Sequence, residues 1–497
     1  MLFLGYDVGS SSVKATLLDG EKGIVLASSA YPEQEMPIDA LQPGWAEQNP
    51  EMWWHNLVLV TRNVLKKTQV SPENIKAIGI SYQMHGLVLI DQNKKVLRPS
   101  IIWCDSRAVD IGEQAFRAIG PEKSLDHLLN SPGNFTASKL AWVKKNEPEI
   151  YEKIWKFLLP GDYIAMKMTG EVTTTVTGLS EGIFWDFKEN EISSLITDYF
   201  GFDLKLFPVI VPVFGEQGIL TEEAACELGL SPRTVIAYRA GDQPNNAFSL
   251  NVLDPGEVAA TAGTSGVVYG VSDQRKYDLL SRVNTFIHVN HKPPENRYGV
   301  LLCINGTGIL NAWMRQNITV GMSYPEMNKE ASSVPIGAEG LIVLPFGNGS
   351  ERILNNRNPG ALFSGLQFNT HRHTHMLRAA QEGIAFAFRY GLEIMHETGI
   401  TPGVIRAGNA NMFLSPLFVE AVANSAHIPI ELFDTDGSRG AALAAGLGSG
   451  FYNNTQECFQ SLTKIKAIEP EASLESRYDE AYGRWKNYLE KILSHIY

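Results

Sequence analysis

Cysteine is scarce in this sequence: four residues in 497, Cys104, Cys226, Cys303 and Cys458, far apart and without paired ligand spacing. That excludes a disulfide-built scaffold and a cysteine-based zinc site, and it fits reduced thiols in a cytoplasmic protein. Positive charge is also short, with 42 Lys and Arg against 54 Asp and Glu and a net charge of −12. No basic run overrides that average, so neither a constitutive nucleic-acid partner nor an anionic membrane partner is expected. No apolar stretch approaches the ~18 residues of a membrane span. The opening Met1 to Asp7 carries no basic n-region and reads as the first strand of a domain rather than a signal peptide. What is present is ordinary core material, 44% hydrophobic and 19% charged residues. At this length the chain should divide into roughly two to four domains.

Two segments share one design. Leu2 to Leu18 is an apolar run, then Asp7-Val8-Gly9-Ser10-Ser11-Ser12, then an alternating run from Val13. Glu257 to Val271 repeats this around Gly263-Thr264-Ser265-Gly266. Each reads as a hairpin with a Gly/Ser/Thr-rich turn, and the repetition points to two structurally related halves. Asn49-Pro50 should cap a helix to about Lys67 with Met52, Trp53, Leu57, Val60 and Val64 on one face. Strands are expected at Ala77–Ser81, Leu87–Asp91, Tyr298–Cys303 and Val404–Ala407, and helices at Met376–Glu397, Pro416–Ser425 and Gly440–Gly448. This mixture predicts two α/β domains, with a break near residue 250 at Asn251 to Gly256.

Several residues could carry chemistry. The Gly9 to Ser12 turn offers close backbone approach and three hydroxyls, Lys14 follows, and Asp7 at the strand end could hold Mg²⁺. Asp242 precedes Pro244 at a helix start, where the helix dipole favours a carboxylate that accepts a proton or approaches a metal. A plain turn and a capping Asp would look the same. Met84-His85-Gly86 between two strands suits a polyol hydroxyl, as do Trp103 and Asp105 with Arg107, although a structural Asp105–Arg107 ion pair has the same sequence. His371, His373 and His375 alternate in a stretch expected to be a solvated loop before a helix. Gly408-Asn409-Ala410-Asn411 after a strand could seat adenine or simply turn the chain.

Taken in order, these segments resemble the FGGY carbohydrate kinases of the actin/hexokinase-type ATPase superfamily from Leu2 to about Gly450. Asp7 to Lys14 is similar to the first phosphate motif, Ala262 to Gly266 to the second, and Gly241-Asp242-Gln243 to the catalytic aspartate motif. Trp45 to Pro50 and Gln83 to Gly86 are most similar to members that phosphorylate xylulose. Lys139 to Val143 and Leu159 to Tyr163 match further landmarks. The resemblance implies two domains with ribonuclease-H-like cores and an interdomain cleft: a sugar-binding domain over 1–250 and a nucleotide-binding domain over 251–497. It implies ATP-dependent phosphorylation of D-xylulose with Asp242 as general base. Met84, His85, Trp103, Asp105 and Asp242 would bind sugar, and Asp7 and Asp242 would bind Mg²⁺. Gly9, Ser10, Ser11, Ser12, Lys14, Gly263, Thr264, Gly308, Gly408 and Asn409 would bind ATP. A homodimer is compatible with it. L-ribulose, L-fuculose, glycerol or gluconate are the alternative acceptors, and a non-enzymatic actin-like ATPase or a sugar sensor the alternative classes. Two positions depart from the pattern: Cys104 stands where many relatives carry Asn, and the usual glycine run of the adenosine motif reads Ala407 to Met412.

Overall fold

The first apolar run folds as strand β1, Leu2–Val8, and the Gly9 to Ser12 turn returns it antiparallel into β2, Val13–Asp19. β3, Ile24–Tyr31, continues the meander. β4, Ile75–Tyr82, and β5, Val235–Gly241, then run parallel to β1, so the sheet order is β5-β4-β1-β2-β3. The Pro50–Thr68 helix joins this core through Trp53, Leu57, Val60 and Val64, whose spacing keeps them on one stripe. Asn49 caps its start, accepting from the Glu51 N–H at 3.0 Å.

The second hairpin builds the same plan again. β6, Glu257–Ala262, and β7, Gly266–Ser272, pair antiparallel, and β8, Tyr298–Ile304, pairs antiparallel with β7. β9, Val404–Gly408, lies parallel to β6, and β10, Ile430–Phe433, parallel to β9. The order β8-β7-β6-β9-β10 forms the middle of a seven-stranded sheet. Three antiparallel strands followed by two parallel ones is the pattern of the first sheet, so the two halves are related in topology as well as in turn composition.

This computed structural model describes residues 1–495, which pack as two units. The first comprises Met1–Asn251, Phe286–Glu295 and Thr435–Leu462; the second comprises Val252–Thr285, Asn296–Asp434 and Thr463 onward. The return of 435–462 has a clear physical cause. The Gly437–Gly448 helix lies directly on β1 and β4, where side chains would not fit: a Cβ on Gly5 would sit 2.0 Å from the Ser438 carbonyl oxygen, and one on Gly79 2.0 Å from that of Ala441. Thr16 and Ser438 hydroxyls meet at 2.7 Å in the same contact.

Most expected elements form within a residue or two of their predicted ends. The histidine stretch is corrected. His373 and His375 belong to the first turn of the His373–Glu397 helix rather than to a solvated loop, and His371 is buried. Carboxylates compensate them: His373 Nε2 is 2.6 Å from Glu330 and His375 Nε2 3.0 Å from Glu339. Among the described residues no group of three or more His, Cys, Asp or Glu could hold a metal ion, and no helix is long and apolar enough to cross a membrane.

Candidate active site

The carboxyl ends of β1, β4 and β5 lie side by side, with Val8 and Gly241 both in register with Tyr82. In open α/β sheets, ligands bind outside the carboxyl ends of parallel strands. Asp7 is the penultimate residue of β1, and its Oδ1 accepts from Ser81 Oγ at 3.0 Å. A Cβ on Gly437 would lie 2.6 Å from Asp7 Oδ2, which brings the helix-capping Asp436 beside it. Burial raises the Asp7 carboxyl above its ordinary range; Lys14, directly across the β1–β2 pair, opposes this, and Asp436 adds to it.

Asp242 opens the Asp242–Ser249 helix with Gly241 as its N-cap. Burial first, and then the charge of Asp7, push its carboxyl up to about 7, while hydrogen bonds from Gln243 pull the other way. A carboxylate titrating near neutrality suits a group that must accept a proton at working pH.

Met84 and His85 follow β4 and converge on the same end. A Cβ on Gly241 would meet Met84 Cγ at 2.6 Å and Glu181 Oε2 at 2.5 Å, so glycine there lets both side chains close on the start of the Asp242 helix. His85 has φ +62°, a left-handed backbone that costs a non-glycine residue about 1–2 kcal/mol. Its Nδ1–H donates to the Glu181 carbonyl oxygen at 3.0 Å, and its ring packs edge-on against Phe135 at 4.8 Å.

Trp103 is half-exposed, and its indole N–H donates to Ser10 Oγ at 3.1 Å, bringing the Trp103 segment to the first turn. Asp105 is different. It is fully buried, its Oδ2 accepts from the Ala46 N–H at 2.5 Å and from Arg107 Nη2 at 2.7 Å, and its Oδ1 accepts from the Arg107 N–H and Nε. Arg107 also reaches Glu47 at 2.6 Å and stacks 3.8 Å over the Trp45 ring. With both oxygens engaged, Asp105 is geometrically a brace for the Trp103 loop.

In the first turn, Gly9 N–H closes on the Ser12 carbonyl at 3.1 Å, leaving Ser11 exposed with Ser10 and Ser12 partly so. In the second unit, Gly308 N–H donates to the Gly263 carbonyl at 2.8 Å and Ile309 N–H to that of Thr264 at 3.2 Å. This pins the Gly308–Asn317 helix to the second turn, and a Cβ on Gly308 would sit 2.4 Å from the Gly263 oxygen. Gly408 ends β9, Asn409 N–H donates to Phe433 at 2.9 Å, and Asn411 adopts the left-handed φ of +54°. Asn411 Nδ2 comes within 3.7 Å of where a Gly263 Cβ would be, so the turn and the loop after β9 are neighbours in that unit. Asn supplies the left-handed conformation that the missing glycines would.

Three residues at this end of the first unit were not singled out as candidates from sequence. Asp436 hides in a capping position. Lys139 lies in a family-like landmark that suggests no role by itself. Glu181, the last residue of the Val176–Glu181 helix, has no sequence signal at all. It is 1% exposed, and burial, followed by the charge of Asp242, holds its carboxyl well above the usual range.

Comparison with known proteins accounts for the architecture. The profile of the N-terminal domain of the FGGY family of carbohydrate kinases matches residues 2–249, and that of the C-terminal domain matches 258–449. A xylulose kinase of Bacillus subtilis (strain 168) is 30% identical over 97% of this chain and 96% of its own. Two solved structures from Lactobacillus acidophilus superpose across 99% of this chain and 98% of theirs. They are a ligand-bound xylulose kinase with TM-score 0.90 and 22% identity, and a gluconate kinase with TM-score 0.89 and 23% identity. Near-equal scores for two substrates show that the fold does not choose the acceptor. With both domain profiles spanning most of its length, this chain belongs to the FGGY family of carbohydrate kinases.

Proposed function

We propose that the chain transfers the γ-phosphoryl group of ATP to the terminal O5 of D-xylulose, forming D-xylulose 5-phosphate and ADP. The observation that carries this reading is Asp242, a partly buried aspartate whose proton affinity is tuned to neutrality at the strand ends where Met84 and His85 converge. The naming of a 30%-identical, near full-length relative as a xylulose kinase supports the acceptor.

In this mechanism Asp242 accepts the O5 proton as O5 attacks the γ-phosphorus and the bond to the ADP oxygen breaks. His85 and Met84 orient the sugar, and Trp103 supplies an apolar wall. Backbone N–H groups of the Gly9 and Gly263 turns bind phosphate oxygens, with Lys14 adding charge. Gly308, Gly408 and Asn409 shape the nucleotide's place in the second unit. Asp7 and Asp242 fit Mg²⁺: they are neighbouring oxygen donors whose mutual repulsion a divalent cation relieves, and Mg²⁺ needs only one or two carboxylates beside waters and phosphates. Bound there, it would neutralise charge on the transferring phosphoryl group.

The test is an ADP-release assay across D-xylulose, L-ribulose, L-fuculose, glycerol and gluconate. D-xylulose should have the highest kcat/KM. A clearly higher value for glycerol or L-ribulose would overturn the acceptor and leave the carbohydrate kinase standing.

A further inference from the structure

His85 is held in its left-handed conformation from three sides. Its N–H points at Glu181 Oε1 at a long 3.4 Å, its Nδ1–H donates to the Glu181 carbonyl, and its own carbonyl accepts from Lys139 Nζ at 2.9 Å. Lys139 is fully buried in the Thr136–Asn146 helix, and its ammonium also donates to the Ile102 carbonyl at 3.0 Å. Ile102 immediately precedes Trp103. One buried side chain therefore spans the two loops that carry His85 and Trp103, and the neighbouring carboxyl of Glu181 closes the other flank. A fully buried lysine that contacts two carbonyls and makes no ion pair within 4 Å of a carboxylate is a costly way to fill a core. Its geometry has one evident result, which is to set the spacing between the loops.

We propose that Lys139 and Glu181 are positioning residues that clamp His85 and register it against the Trp103 loop, acting on the acceptor sugar through His85. Glu181 acts here as a hydrogen-bond acceptor, so glutamine should replace it and leucine should not. This rests on the reading of His85 as an acceptor-site residue.

The experiment compares Lys139→Met, Glu181→Gln and Glu181→Leu, each alone and combined with His85→Ala, in the full-length chain. Lys139→Met and Glu181→Leu should raise the KM for D-xylulose about tenfold, the scale of one lost hydrogen bond to a polar partner, with the KM for ATP changed less than about twofold. Glu181→Gln should stay within about threefold of the parent, and in the His85→Ala background neither damaging change should add more than about twofold. Equal rises in both KM values, multiplicative effects with His85→Ala, or no rescue by glutamine would overturn the clamp.

A second measurement needs no substrate. In ¹⁵N-histidine spectra, the His85 backbone N–H signal, assigned by its absence in His85→Ala, should persist in Glu181→Gln and shift or vanish in Glu181→Leu, because it is this N–H that faces the Glu181 side chain. An unmoved signal in Glu181→Leu refutes the proposal even if Lys139→Met fails to fold. If the parent chain ignores D-xylulose, the acceptor assignment fails. The same constants are then read with whichever panel sugar the parent uses.

Discussion

At the scale of single residues, Asp242 carries two separable predictions. As the proposed base, its replacement by Asn keeps size and helix position but cannot accept the sugar proton. Single-turnover phosphorylation should fall by about 10²–10⁴-fold while calorimetry still shows both ligands binding. A rate within a few-fold of the parent would reduce Asp242 to a helix cap. Asp105 would be a poor replacement, because Arg107 and the Ala46 N–H already occupy both its oxygens. The second prediction concerns stability. The folded-state affinity of Asp242 for its proton is raised to about 7 by burial and by Asp7. Between its ordinary value and about 7 the folded chain holds a proton that the unfolded chain has lost, so stability falls as pH rises through that window. Asp242→Asn removes the penalty. Its unfolding free energy should exceed the parent's by a margin that grows from pH 5 to pH 7, at about 1.4 kcal/mol per pH unit, and then levels off, with a melting temperature raised in step. A margin independent of pH would show that the carboxyl is not perturbed by its surroundings. Residues of this kind were only half legible. Asp242 and His85 sit in recognisable strings, but the left-handed backbone of His85 and the Glu181 side chain against it depend on where a distant helix ends. No local pattern encodes that.

At the scale of elements, both hairpins could be read directly, because Gly, Ser and Thr between apolar runs have few other uses. The Gly263 turn shows more than the sequence could. Its carbonyls are capped by the first N–H groups of the Gly308–Asn317 helix, a pairing across more than forty residues. Replacing Gly9 or Gly263 with Val puts a branched side chain where phosphate oxygens would approach backbone N–H groups. Each variant should raise the KM for ATP about tenfold or more, with the KM for the sugar little changed. A normal KM for ATP in either variant removes that turn from the nucleotide site. The start of the His373–Glu397 helix was misplaced for a physical reason: alternating histidines look like solvated loop until Glu330 and Glu339, supplied from other segments, meet their ring nitrogens.

At the scale of the whole molecule, the chain does not fold as two successive pieces. The break in pattern at Asn251 to Gly256 marks one crossing between units, but the returns at Phe286–Glu295 and Thr435–Leu462 leave no compositional trace. The second of them is visible only in what β1 and β4 lack. Gly5 and Gly79 have no side chains because the Gly437–Gly448 helix occupies that space against bare backbone. A fragment ending at Asn251 would expose this strip of sheet, together with the buried face of the Asp242–Ser249 helix, where a Cβ on Gly440 would come 2.4 Å from Ser249 Cβ. Such a fragment should lack a cooperative thermal transition and bind apolar dyes, the behaviour of a chain with secondary structure but unfixed packing. Joining residues 435–462 to its end by a flexible linker should restore cooperativity. In the full-length chain, Gly79→Val forces a side chain into the Ala441 carbonyl and should cost about 3 kcal/mol or more, well above a surface substitution. Because the same helix carries Asp436 and Gly437 to Asp7, that variant should lose turnover at temperatures where most of it is still folded. A cooperative melt for the fragment ending at Asn251, or full activity in Gly79→Val, would mean that the distant helix is an accessory to the first unit and not part of its core.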